Sequence, residues 1–215
     1  MAVKVGVLGS GVVAQVLAAG FSAKGHDVRM GSRDPGKLAA FAGEHRLSTG
    51  TFAEAAAFGE LLVLAVKGTA ALEALRQAGN AALGDKVVID TTNPIEDRAP
   101  ERGVLHFFTG PNESLMERMQ EAYPRVRFVK AWNSVGNAFM VDPRLPGGPP
   151  TMFFCGDDAQ AKERVAAILR AFGWEPEDVG SAASARALEP LCQLWCLPGF
   201  LRNSWSHAFK LLKAV

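Results

Sequence analysis

Apolar and polar positions along this chain alternate between two spacings. Val3–Leu8 is an apolar run interrupted only at Lys4, as in a strand buried on both faces. From Val12 to Lys24 the residues Val13, Val16, Leu17 and Phe21 recur at helical spacing, and Gly25 follows where a helix ends in a left-handed glycine. Asp27–Met30 reads as a second strand, Asp34-Pro35 as a cap and first turn, and Lys37–Glu44 as a second helix. The pattern then predicts strands at Thr49–Thr51, Leu61–Val66, Lys86–Asp90 and Val126–Ala131, and helices at Phe52–Phe58, Ala70–Ala82 and Glu113–Ala122. Thr92-Asn93-Pro94 ends its strand sharply, because a residue before proline avoids the helical region. Such alternation predicts an α/β fold: a doubly wound, mostly parallel sheet with helices on both faces.

The pattern changes near residue 140. Residues 142–150 hold four prolines and two glycines and read as a loop. Beyond it lie a strand at Thr151–Cys155, an amphipathic helix at Ala159–Phe172 and a short strand at Glu177–Val179. Ala183–Val215 is expected to be mostly helical, with a break at Pro198-Gly199. The expected division is a sheet domain over residues 1–140 and a small, mainly helical C-terminal part over 141–215.

The sharpest local signal is Gly9-Ser10-Gly11-Val12-Val13-Ala14, between the first strand and the first helix. The first glycine permits a tight turn, the second lets backbone approach a pyrophosphate, and the small third residue lets helix and strand pack closely. The helix start offers free amides and a positive dipole end to phosphate. These features predict a Rossmann dinucleotide site. At the tip of the second strand an NAD site would carry an acid for the ribose hydroxyls. Here the tip reads Met30-Gly31-Ser32-Arg33, with Lys37 one helical turn on. A hydroxyl, a guanidinium and an ammonium suit a 2′-phosphate, so NADP(H) is expected over NAD.

Composition narrows the setting. The 215 residues carry 23 Lys plus Arg against 22 Asp plus Glu, a net charge of +1, which supplies no field to gather nucleic acid or an anionic membrane. Three cysteines are too few for a disulfide framework, and no CxxC pair suggests structural zinc. The apolar runs Leu61–Val66 and Leu191–Leu201 are too short to span a bilayer, and the N-terminal run is too short for a signal peptide. A soluble, cytoplasmic protein with no nucleic-acid or membrane partner and no metal is expected.

Several segments together resemble the NADPH-dependent coenzyme F-420 oxidoreductase family. They are Lys4–Gly11, Gly25–Val28, Gly31–Arg33, Leu64–Gly68, Asp90–Pro94, Lys130–Val135 and Leu188–Leu191, so the likeness runs along nearly the whole chain. The resemblance implies hydride transfer between NADP(H) and a flavin, a deazaflavin (F-420) or another small redox acceptor. It implies nucleotide contacts at Gly9, Ser10, Gly11, Val12, Val13, Ser32, Arg33 and Lys37. On the nicotinamide side it implies Ala65, Val66, Lys67, Asn93, Pro94, Ala131 and Asn133, all at strand ends. Where F-420-using members often carry a histidine-containing segment, this chain has Asn133. Its Lys130-Ala131-Trp132-Asn133 form is similar to the reductase domains of eukaryotic metalloreductases.

Ring-to-ring hydride transfer needs alignment more than proton chemistry. No catalytic acid–base set is therefore expected, and none is evident. Tyr123 is the only tyrosine and Arg127 stands four residues on, so the tyrosine–lysine pair of short-chain dehydrogenases does not exist here. Trp132 reads equally as an acceptor platform or as core. Glu189 reads as a helix-start residue near the active site or a subunit interface, or as a plain cap. Cys192 and Cys196 read as part of a buried apolar face. The Leu-, Trp- and Phe-rich segment from Leu194 to Phe209 predicts a homodimer contact. Rival readings are an NADPH-dependent imine or carbonyl reductase and a non-catalytic NADP(H) sensor.

Overall fold

The computed structural model describes residues 2–214. Strands β1 (Lys4–Leu8), β2 (Asp27–Gly31), β3 (Ser48–Gly50), β4 (Leu61–Leu64), β5 (Val87–Asp90) and β6 (Arg127–Lys130) form one sheet in the order β3-β2-β1-β4-β5-β6. Every neighbouring pair is parallel. The inner strands β4 and β5 are buried along their whole length, which is why, up to Asp90 at the end of β5, they read as apolar runs rather than alternating ones.

Helices α1 (Val12–Ala23), α2 (Ala39–His45), α3 (Phe52–Phe58), α4 (Ala71–Ala78), α5 (Asn80–Leu83) and α6 (Leu115–Ala122) supply the crossovers. The predicted helix 70–82 is two helices, because Gly79 takes a φ of +85° between them. Helix α3 coincides with its predicted span and opens with a capping box between Thr51 and Glu54. Asp34 stands at the expected cap position, yet its side chain makes no capping bond. The amide of Asp34 instead donates to Ser32 Oγ at 3.2 Å.

Beyond residue 140, β7 (Thr151–Phe154), α7 (Ala159–Ala171) and β8 (Glu175–Asp178) form a further parallel β-α-β unit. It joins the main sheet through Lys130 and Cys155, whose backbones exchange N–H···O bonds of 2.9 and 3.2 Å. One apolar cluster contains Val7 and Val129 of the sheet, Phe21 of α1 and Trp132 just after β6, together with Phe154, Leu169 and Phe172.

The C-terminal expectation needs correction. Helix α8 (Ala185–Arg202) runs through both Pro190 and Pro198 without a break and ends at Asn203, which adopts a left-handed φ of +52°. Residues 203–214 are not helical. Packing overrides the local cost of each proline: Leu188, Cys192, Trp195 and Gly199 are buried along α8. A Cβ at Gly199 would fall inside the ring of Trp205, so the bare backbone there is what lets the tail fold back. The tail is then held by Trp195 Nε1 donating to His207 O at 2.9 Å and by the Thr151 amide donating to Phe209 O at 2.8 Å.

Candidate functional site

Strand order reverses direction between β1 and β4, and a parallel sheet opens a crevice at such a switch point. A cleft of about 520 Å³ lies there, at the carboxyl ends of β1, β2 and β4. Gly9, Ser10, Gly11, Val12 and Val13 line it beside the start of α1, Ser32 and Arg33 at the tip of β2, and Ala65, Val66 and Lys67 after β4.

The glycine loop fits a pyrophosphate. Gly11 caps α1 with no side-chain hydrogen bond, and no acid stands in the first turn. The first amides and the dipole of a 12-residue helix are therefore left to a ligand. A Cβ at Gly11 would meet no protein atom within 4 Å. The Gln15 side chain donates to Ser10 O at 3.0 Å and fixes the loop from below.

At the β2 tip Ser32 is buried and its amide donates to Gly50 O at 3.0 Å. Arg33 is exposed on the cleft rim and, among the described residues, makes no ion pair. Across the cleft stands Glu73, whose carboxyl is lowered to about 2, chiefly by the hydrogen bonds of Arg76 and then Gln77. Arg76 Nε lies 2.6 Å from Glu73, so this acid is paired on its own helix, and Arg33 acts on it only through space. Lys37 is exposed, lies outside the cleft lining and has Nζ 3.7 Å from Asp34.

A second cavity of about 600 Å³ adjoins the first, sharing Val66, Lys67 and Thr91 with it and adding Gly68, Thr92, Asn93 and residues 95–98. Lys67 reaches across it to Asp97 at 2.5 Å. Asn93 thus joins the second cavity rather than the first. Pro94, Ala131 and Asn133 line neither: all three are buried behind the β5 and β6 ends. Phe52, Ala70, Glu73, Ala74, Gln77 and Thr91 line the first cleft without having been singled out in the sequence. For Glu73 and Gln77 the i,i+4 spacing on α4 was the available signal, but nothing local says that this face turns to the cleft.

Behind both cavities lies a fully buried charge cluster. Lys130 Nζ donates to Thr92 O at 2.7 Å and is 3.1 Å from Glu189 Oε1. Its 2.7 Å approach to Asp90 Oδ2 is an ion pair off hydrogen-bond alignment. Burial alone would lower the Lys130 ammonium, but Asp90 and then Glu189 hold it above its ordinary value. Glu189 does not start its own helix. It lies inside α8 and caps α6, accepting from Leu115 N at 3.0 Å and Met116 N at 3.1 Å. Burial pushes its carboxyl up, against the pull of Lys130 and the two amides. Trp132 is core rather than platform: it is fully buried, with ring centroids 6.4 Å from Phe21 and 5.2 Å from Phe172.

A parallel sheet in this order, a glycine loop at its switch point and a cationic β2 tip define a Rossmann-type dinucleotide-binding protein. The chain belongs to the coenzyme F420-dependent NADP oxidoreductase family. The pattern of that family, described as NADP oxidoreductase coenzyme F420-dependent, matches residues 4–94. A candidate F420-dependent NADP-reductase from Arthrobacter sp. FB24 is 31% identical, with 98% of this chain and 100% of that chain covered and a TM-score of 0.92. The metalloreductase STEAP3 of Rattus norvegicus is 32% identical over 204 residues, 92% of this chain. The chain spans only 39% of that relative's length. A reductive aminase from Aspergillus terreus, solved in complex with NADPH, shares the fold at a TM-score of 0.68 and 19% identity, covering 94% of this chain and 64% of that one. No helix among the described residues is long and apolar enough to cross a membrane.

Proposed function

We propose that this chain transfers hydride between NADP(H) and a flat redox ring, a flavin or a deazaflavin such as F-420. The observation that carries the reading is the meeting of two cavities at Val66, Lys67 and Thr91. The first offers a phosphate cradle and the Ser32–Arg33 tip; the second is large enough for another ring system and reaches the same strand ends.

In this reading NADPH, when bound, supplies the hydride. The amides after Gly11 hold its pyrophosphate, Ser32 and Arg33 take the 2′-phosphate, and Lys37 adds longer-range attraction. Ala65, Val66 and Thr91 form the floor on which the nicotinamide end is oriented, and the acceptor approaches from the Asn93 side. Only positioning is asked of these residues, since no proton need move between two stacked rings. The exposed Leu194, Phe200, Leu201 and Trp205 support a homodimer contact through the 141–215 part.

Purified protein with NADPH, presented in turn with F-420, FMN, ferric chelates and small cyclic imines, tests the reading. Absorbance loss with F-420 or FMN supports it. Turnover confined to imines, or NADPH binding without turnover of any acceptor, overturns it.

A further inference from the structure

The loop 91–93 forms part of both cavities, yet what fixes it lies outside them. On one side Asp90 Oδ1 accepts from the Thr92 amide at 2.8 Å and the Thr92 hydroxyl at 2.7 Å, and Lys130 Nζ holds the Thr92 carbonyl. On the other, Asn93 Nδ2 donates to Asn133 O at 2.8 Å while Asn133 Nδ2 donates to Asn93 Oδ1 at 3.1 Å and to Leu188 O at 2.8 Å. Leu188 and Glu189 are neighbours on α8. One turn of α8 therefore reaches the loop by two routes, Glu189–Lys130–Thr92 and Leu188–Asn133–Asn93.

We propose that Lys130, Glu189 and Asn133 are positioning residues that set the geometry of the loop 91–93, and through it the nicotinamide end of the site, from helix α8. The inference rests on the reading above that places the nicotinamide beside Thr91. A buried ion cluster contributes little net stability compared with apolar residues of the same volume, because desolvation offsets its attraction. The buried charges of Asp90, Lys130 and Glu189, with the buried Asn133 amide beside them, are better accounted for by what they hold than by what they stabilise. Two of their donors end on the loop: Lys130 on its carbonyl and Asn133 on its Asn93 side chain. Lys130, Glu189 and Asn133 line neither of these two cavities, so each acts through the loop rather than on a ligand.

The test uses the full chain with Asn133→Ala and, separately, Glu189→Gln, which keeps side-chain volume on the Glu189–Lys130–Thr92 route. Three quantities are read: NADPH affinity by titration, the fluorescence lifetime of bound NADPH, and the single-turnover rate with whichever acceptor the wild type uses. The adenosine and phosphate contacts are remote from the loop, so affinity should stay within about threefold. The bound-state lifetime should move toward that of free NADPH, and hydride transfer should fall about 10- to 100-fold, the scale of a misplacement near 1 Å. Wild-type lifetime and rate in both folded variants would overturn the inference, as would parallel loss of affinity and melting temperature with an unchanged lifetime. If either variant fails to fold, Asn133→Ser and Glu189→Asp are read in the same way. A wild type with an ordered ring but no turnover of F-420 or FMN would sink the acceptor assignment and leave the lifetime test of the loop standing. A wild type whose bound NADPH emits like free NADPH would sink the placement of the ring itself and this inference with it.

Discussion

Gly9 sits against Ala65: its φ is +150°, and a Cβ built on it would fall inside the Ala65 carbonyl oxygen. The end of β1 and the end of β4 therefore touch backbone to backbone, while the Gly9 amide donates to Gly31 O of β2 at 2.9 Å. One bare residue ties together the three strand ends that frame the first cleft.

Gly9 and Gly11 should accordingly fail in different ways. Gly9→Ala forces a backbone shift and should cost about 1–3 kcal/mol of stability, the range for overpacking a tight site. Gly11→Ala meets no protein atom and should melt close to wild type, while NADPH binding weakens about tenfold, or ~1.4 kcal/mol. Melting curves and nucleotide titrations on both variants check the contrast. Equal melting temperatures for the two would contradict it.

Arg33→Ala should weaken NADPH by about 1.5–3 kcal/mol, the scale of hydrogen bonds to a charged group. NADH has no 2′-phosphate and should bind as before. Calorimetric titration with both nucleotides decides: equal losses would mean that Arg33 does not serve the 2′-phosphate.

Lys130→Met should destabilise the fold by about 3–5 kcal/mol, because it leaves Asp90 and Glu189 buried without their counter-charge. Adding Asp90→Asn and Glu189→Gln should recover part of that loss. The folded Lys130 is held above its ordinary value of 10.5, so its contribution is full below 10.5 and fades only as pH rises through the higher folded value. Removing Lys130 also removes the pull that opposes burial at Glu189, whose carboxyl then stays protonated to higher pH in the folded variant than in its unfolded chain, so denaturant titrations should show the loss growing as pH rises from 6 to 9.

The thiols should separate cleanly. Burial raises Cys155 to about 12. Cys192 is raised by its interaction with the neighbouring Cys196 thiol and by burial, while that same interaction lowers Cys196, which is only partly buried. The reactive species is the thiolate. Iodoacetamide at pH 8 should label Cys196 first in the native chain and all three thiols once it is unfolded. Peptide mapping that found Cys155 modified in the native protein would contradict the burial argument.

The elements of the sheet were legible because each is a local statement. Apolar runs such as Leu61–Leu64 are long enough to mark a strand buried on both faces, and Gly9–Ala14 marks the turn that follows β1. Prolines misled where tertiary packing outweighed them: α8 continues through Pro198 because Trp195 and Cys192 are already anchored in the core. Trp132 was ambiguous by its type alone, and only its position against Phe21 and Phe172 made it core.

By itself the sequence determined the order of strands and helices, the glycine loop and the cationic β2 tip, since propensity, period and turn chemistry act over a few residues. Only the tertiary structure decided that Glu189 caps a helix 74 residues earlier in the chain, that Lys130 stands between it and Asp90, and that Asn133 holds Asn93 from behind rather than lining the cleft. Those relationships depend on which strand ends the sheet brings side by side. A charged residue in an apolar stretch gives its type but not its partner, and burial makes the partner decide what it does.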